Sequence, residues 1–295
     1  MTLTPANLLS SPKLAWMGHP DIRPYVFVRP ENKVTNAGAL HKDLPWFKGA
    51  KVLYKNPLDM NEVGFADRIL YMEAKAFEQS GMAMPRWVFY DCAIMPGFVA
   101  GYAARTSTLD PEIKKVLGAT DDDEWTALSL FIVIPTMAKN AEWVAHNLCS
   151  VNSLLPREKH FYGIGFMSKA FGLWYANVRT CCGVTQWMSP SVRLHAHYGD
   201  FEVLTAFTPV HSYSRTLTYR VNVDASLWHQ FFTKEWPSDF DQHFEPAGIT
   251  VDPKDESSLK SLQTKLQDGE GPFFLSGKET MDKALTDSLT IYRRL

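Results

Sequence analysis

The sequence predicts an α+β fold: a strand-rich single domain around a strongly curved antiparallel sheet or barrel, with peripheral helices. Three observations predict it. In residues 192–210, two alternating runs rich in Val, Leu, Phe and Thr flank Gly199-Asp200, and a two-residue Gly-X loop marks a tight hairpin. In residues 213–223, Thr216, Thr218 and Arg220 alternate with Leu217, Tyr219 and Val221, the pattern of another strand. Helical patterns stand before and after this centre and do not alternate with strands, which disfavours a doubly wound parallel sheet.

The elements follow in order. Residues 1–60 carry Pro20, Pro24, Pro30, Pro45 and Pro57, spaced too closely for long helices, and read as an extended N-terminal arm packed on the body at 61–295. Residues 67–79, with Ile69, Leu70, Met72, Ala76 and Phe77, fit an amphipathic helix, and 86–104 read as strands around a turn at Pro96-Gly97. Asp110-Pro111-Glu112 opens a short helix with an N-cap aspartate and a first-position proline, and Gly118 ends it. Residues 125–137 read as a buried strand. Residues 161–179 admit two readings: Ile164, Met167, Phe171 and Trp174 suit a helix, while Gly163, Gly165 and Gly172 suit a strand with glycine bends. The tail is helical in pattern over 257–267 and 278–293.

Composition excludes several classes. The chain has 295 residues, 45% hydrophobic and 13% aromatic, enough for a substantial core. Its 30 Lys plus Arg against 32 Asp plus Glu provide no field for polyanions, so a nucleic-acid partner is not expected. No segment has signal-peptide form or approaches the roughly 20 apolar residues of a membrane span, which predicts a cytoplasmic protein with no membrane partner. Cys92, Cys149, Cys181 and Cys182 lack CxxC spacing and read as buried free thiols. The acidic run Asp121-Asp122-Asp123-Glu124 lacks the ligand alternation of a calcium loop and reads as a solvated loop. P-loop, G-x-G-x-x-G, G-x-S-x-G and HExxH motifs are missing.

A hairpin turning at Gly199-Asp200 would gather Arg193, His195, His197 and Glu202 on one face. Two alternatives to catalysis are open there: a cross-strand His197–Glu202 ion pair on a polar face, or a divalent transition-metal site. The spacing of His195, His197 and Glu202, with His211 further on, resembles the first motif of the cupins, which implies a metal-dependent oxygenase or isomerase using those four residues.

The segment Gly163-Ile164-Gly165-Phe166-Met167-Ser168-Lys169-Ala170 sets one lysine among apolar groups, where lost solvation would make its amine less basic and more nucleophilic. A lysine snorkelling from an apolar surface is the alternative. Gly165-Phe166 and Lys169 resemble the Gly-Phe-Pro-Lys-Lys segment of the acetoacetate decarboxylase superfamily, with Ala170 at the place of the second lysine. The resemblance implies a curved β-barrel and a Schiff-base Lys169.

The resulting expectation is an enzyme, a decarboxylase-like lyase or aldol-type catalyst without a cofactor. Its substrate would be a keto acid or a related small-molecule carbonyl or carboxylate compound. Lys169, His197 and Glu202 would be catalytic, the last two as a proton-transfer pair. Arg193 would clamp the anion, and Gln186 and His195 would bind substrate. A non-catalytic barrel holding a small ligand is the further alternative, and a homo-oligomer is compatible with each.

Overall fold

A computed structural model gives the architecture of residues 11–42, 44, 46–78, 82–136, 142–211, 213–236 and 240–295. The chain divides into two units, residues 1–137 with 145–178 and residues 138–144 with 179–295. Strands and helices mix in both, as the α+β expectation has it.

In the first unit the elements are β1 (Ile22–Phe27), β2 (Leu53–Lys55), α1 (Val63–Phe77), α2 (Arg86–Ile94), β3 (Phe98–Arg105), α3 (Pro111–Leu117), β4 (Trp125–Ala127), β5 (Ser129–Pro135), the part of β6 (Glu142–Ser150) from residue 145 on, and α4 (Ile164–Tyr175). β1 pairs in parallel with β2 and antiparallel with β3, and β3 pairs antiparallel with β4 and β5. The capping signals around α3 act as expected: the Asp110 side chain accepts from the Glu112 N–H at 2.8 Å, and Gly118 closes the helix in the left-handed region. Residues 86–94, expected as strand, are helical, because Phe89, Cys92 and Ala93 bury a face at three- and four-residue spacing. The end of the expected strand 125–137, Met137, lies outside the described residues.

α4 resolves the two readings of residues 161–179 in favour of the helix. Ten of its twelve residues are buried, so apolar surface removed from water on every side, at about 25 cal/mol per Å², outweighs the roughly 1 kcal/mol that each interior glycine costs.

In the second unit the elements are β7 (Thr180–Gln186), α5 (Pro190–His195), β8 (Gly199–Thr205), β9 (Thr216–Val223), α6 (Gln230–Thr233), α7 (Phe240–His243), β10 (Phe244–Val251), α8 (Glu256–Gln267), β11 (Phe273–Leu275), α9 (Gly277–Asp282) and β12 (Leu289–Arg294). The strand order is β7-β9-β8-β11-β12-β10, with every one of these pairs antiparallel. This order is linear, and in the first unit β4 branches off at β3. The sheet is open, which corrects the expected barrel.

Two local expectations are corrected here. No hairpin turns at Gly199-Asp200: β8 runs through both residues, and its antiparallel partner is β9. Ser189 and Pro190 start α5 instead, the serine hydroxyl accepting from the Ser191 N–H at 3.2 Å. Gly199 serves a close strand approach, since a Cβ built there would stand 1.8 Å from the Asn222 carbonyl oxygen. The helical tail over 278–293 is also corrected. α9 ends at Asp282, and Leu289 and Ile291 alternate into the core as β12.

Candidate functional site

The structure disperses the residues expected to form a catalytic face. His195 ends α5, buried, with its ring stacked on Tyr219 at 4.7 Å. His197 lies beyond the helix, 2% exposed; its Nδ1 is 2.5 Å from the Arg193 carbonyl oxygen, to which it donates, and its Nε2 is 2.9 Å from Met281 Sδ. Burial pushes the His197 pKa down to about 4 against the opposing effect of the Arg193 carbonyl. Glu202 stands opposite Arg220 in the β8–β9 register and accepts from its Nη1 at 3.2 Å. His197 and Glu202 thus each have a described partner of their own.

Arg193 donates to the Lys283 carbonyl and so has one hydrogen bond within the fold. Gln186 ends β7 opposite Thr216. His211 is exposed, and its Nδ1 accepts from the Tyr213 N–H at 3.0 Å. Among the described residues no group of three or more His, Cys, Asp or Glu could hold a metal ion. The four residues of the metal reading, His195, His197, Glu202 and His211, form no such group.

Lys169 belongs to the first unit. It lies in the middle of α4, buried, with Nζ 5.9 Å from the centre of the Phe131 ring. The glycine-rich segment before it is the start of a helix.

That start has the local chemistry of an anion site. The Asn152 side chain donates to the Phe161 carbonyl at 2.8 Å and accepts from the Phe161 N–H at 2.9 Å, fixing the chain ahead of the helix. The Tyr162 carbonyl is tied to the Trp16 indole N–H at 3.0 Å. Both carbonyls that would repel an anion are thus engaged. Gly163, the N-cap residue, takes φ 73°, a left-handed conformation that costs glycine little. It has no side chain with which to cap the helix, and no acidic residue stands in the first turn.

The first N–H groups of an α-helix have no acceptor within it, and the helix dipole places partial positive charge there. Gly163 and Gly165 are partly exposed, whereas Phe166 through Leu173 are buried. Solvent therefore reaches α4 at this end. Lys13 Nζ, 5.3 Å from the centre of the Tyr162 ring, brings a cation to the adjoining residue. Amides at a helix start, an ammonium over the adjoining residue and no acidic side chain in the first turn suit a phosphate group.

No family model matches the sequence, and no curated protein matches it. Solved structures similar to it include one assigned to the GNAT family of acetyltransferases from Desulfovibrio desulfuricans, with TM-score 0.35 and 14% identity over 52% of this chain and 92% of that one. A chain of the NatC complex bound to Gag peptide and CoA has TM-score 0.38 and 10% identity, over 57% of this chain and 96% of that one. A structure assigned as an acyl-CoA N-acyltransferase from Klebsiella pneumoniae has TM-score 0.31 and 12% identity, over 57% of this chain and 93% of that one.

The first and third of these are described as an acetyltransferase and an N-acyltransferase, and none is described as an acetoacetate decarboxylase or a cupin. The decarboxylase resemblance, with the lyase and Schiff-base chemistry drawn from it, is corrected because the sheet is open where that resemblance implies a barrel, and the oxygenase or isomerase alternative is corrected because its four residues form no metal-holding group. The non-catalytic barrel falls with the open sheet. No helix among the described residues is long and apolar enough to cross a membrane.

Sequence reasoning left the role of Asn152 undecided and passed over Lys13 and the role of Gly163-Ile164-Gly165 as a helix start. The signal was present: paired glycines opening an apolar run, with no aspartate or glutamate in the first turn.

Proposed function

We propose that the chain is an acyltransferase that takes its acyl group from a phosphate-bearing thioester of the coenzyme A type. The observation that carries this reading is the amino end of α4, glycine-flanked and without a side-chain cap, with the chain ahead of it fixed by Asn152 and the Ile164 N–H taken by the Phe161 carbonyl. A coenzyme A thioester offers a pyrophosphate for that end and an uncharged amide-bearing arm, so its binding asks for few charged groups beyond the helix start and Lys13. In the transfer, an acceptor amine attacks the thioester carbonyl, the C–N bond forms, the C–S bond breaks and the thiol leaves.

Calorimetry of the full chain with coenzyme A and with pantetheine tests the reading. Coenzyme A is expected to bind at least about tenfold tighter, a difference of about 1.4 kcal/mol, because pantetheine lacks the phosphates. Equal binding of the two, or no binding of coenzyme A, overturns the reading. Release of free thiol from acetyl-coenzyme A in the presence of a panel of amines then tests the transfer.

A further inference from the structure

The second unit contains a cavity of about 440 Å³ whose lining includes none of the residues of the proposed acyl-donor site. Volumes of this order suit a small organic ligand.

Its wall combines aromatic rings with an excess of carboxylate. Phe244 and Phe274 meet at a tilt of 59° with ring centres 5.0 Å apart, and the Arg294 guanidinium lies over both, at 5.3 and 5.5 Å. Asp200, on β8, forms an ion pair with Arg294. Asp224 also lines the cavity; its Oδ1 accepts from the Ser226 N–H at 3.0 Å and from the Ser226 hydroxyl at 2.6 Å. Trp236 closes the apolar side.

The lining thus holds two aspartates and one guanidinium, and the guanidinium pairs with Asp200. The electrostatics agree: burial is the largest cause raising the Asp200 pKa, and the charge of Asp224 raises it further, while Arg294 and His243 pull it down only in part. A second cation would relieve this carboxylate excess, and the aromatic faces would stabilise its charge as they do that of Arg294. An anion would meet two carboxylates. A neutral aromatic molecule would leave the carboxylate excess unrelieved.

We propose that this cavity binds a small organic amine, with its ammonium group beside Asp200 and Asp224 and its apolar body against Phe244, Phe274 and Trp236. The inference does not depend on the acyltransferase reading, because neither coenzyme A nor the α4 residues enter it.

The test uses three ligands with one body: phenethylamine, 2-phenylethanol and phenylacetate, each titrated into the full chain by calorimetry. Phenethylamine is expected to bind at least about tenfold tighter than the other two, and Asp224→Asn to weaken it by about tenfold or more while leaving 2-phenylethanol unchanged. Phenylacetate binding as tightly as the amine, or no binding of any of the three, overturns the proposal. If Asp224→Asn fails to fold, the comparison of the three ligands on the unsubstituted protein decides alone. Coenzyme A binding measured on the same sample separates failure here from failure of the acyl-donor reading.

Discussion

Asn152 and Phe161 exchange two hydrogen bonds across nine residues, Nδ2 donating to the Phe161 carbonyl at 2.8 Å and Oδ1 accepting from the Phe161 N–H at 2.9 Å. The same carbonyl accepts from the Ile164 N–H at 3.1 Å. One amide side chain thus sets the angle at which the chain enters α4. Asn152→Ala is expected to cost about 1–3 kcal/mol, since the Phe161 N–H loses its acceptor and the Phe161 carbonyl loses one of two donors. It should also weaken coenzyme A more than pantetheine. Urea unfolding and calorimetry measure the two effects, and unchanged stability would remove the clamp.

Gly165 occupies the first turn of α4 and is partly exposed. Gly165→Asp would place a carboxylate where the helix dipole otherwise attracts a ligand anion. The expected result is a gain or small change in stability, because an acid at a helix start is favourable by about 0.3–1 kcal/mol, together with a loss of coenzyme A affinity of about tenfold. Opposite signs for stability and binding distinguish a ligand site from a structural helix start. A loss of both would argue for the latter.

His197 gives the fold a pH dependence whose sign is set by burial. Its folded pKa of about 4 lies below the ordinary histidine value of 6.5, so in that interval the unfolded chain binds the proton and the folded chain does not. Stability is full above pH 6.5 and falls as the pH drops toward 4, by about 3 kcal/mol in all. His197→Phe should flatten this part of the stability profile. Equal slopes for the variant and the unsubstituted chain in urea titrations at several pH values would overturn the assignment.

Glu73 is a buried carboxylate on α1 that accepts from the Met84 N–H at 3.0 Å and from Asn147 Nδ2 at 2.8 Å. Burial raises its pKa over the opposing effect of those two donors. A raised carboxylate pKa favours folding at low pH and loses that contribution as the pH rises through the folded value. Glu73→Gln should therefore lessen the decline in stability toward neutral pH. Glu73→Leu, by orphaning both donors, is expected to cost about 1–3 kcal/mol at every pH. A Leu variant as stable as the Gln variant at neutral pH would show that the two hydrogen bonds are dispensable.

The sequence by itself determined the elements whose signals are local. Asp110, Pro111 and Gly118 bound α3 because caps act within one turn. The alternation of Leu217, Tyr219 and Val221 made β9, and the spacing of Leu259 and Leu262 made α8. The mixed α+β class and the four free cysteines were legible in the same way. Tertiary structure alone decided the rest. Gly199-Asp200 carries turn chemistry, yet it lies within a strand because Val223 and Asn222, more than twenty residues away, pair with it. His197 and Glu202 look like partners on the page, but the fold supplies Met281 to one and Arg220 to the other. The physical reason is range: a cap or an alternating face is set by neighbours along the chain, whereas pairing and burial depend on which distant segment arrives.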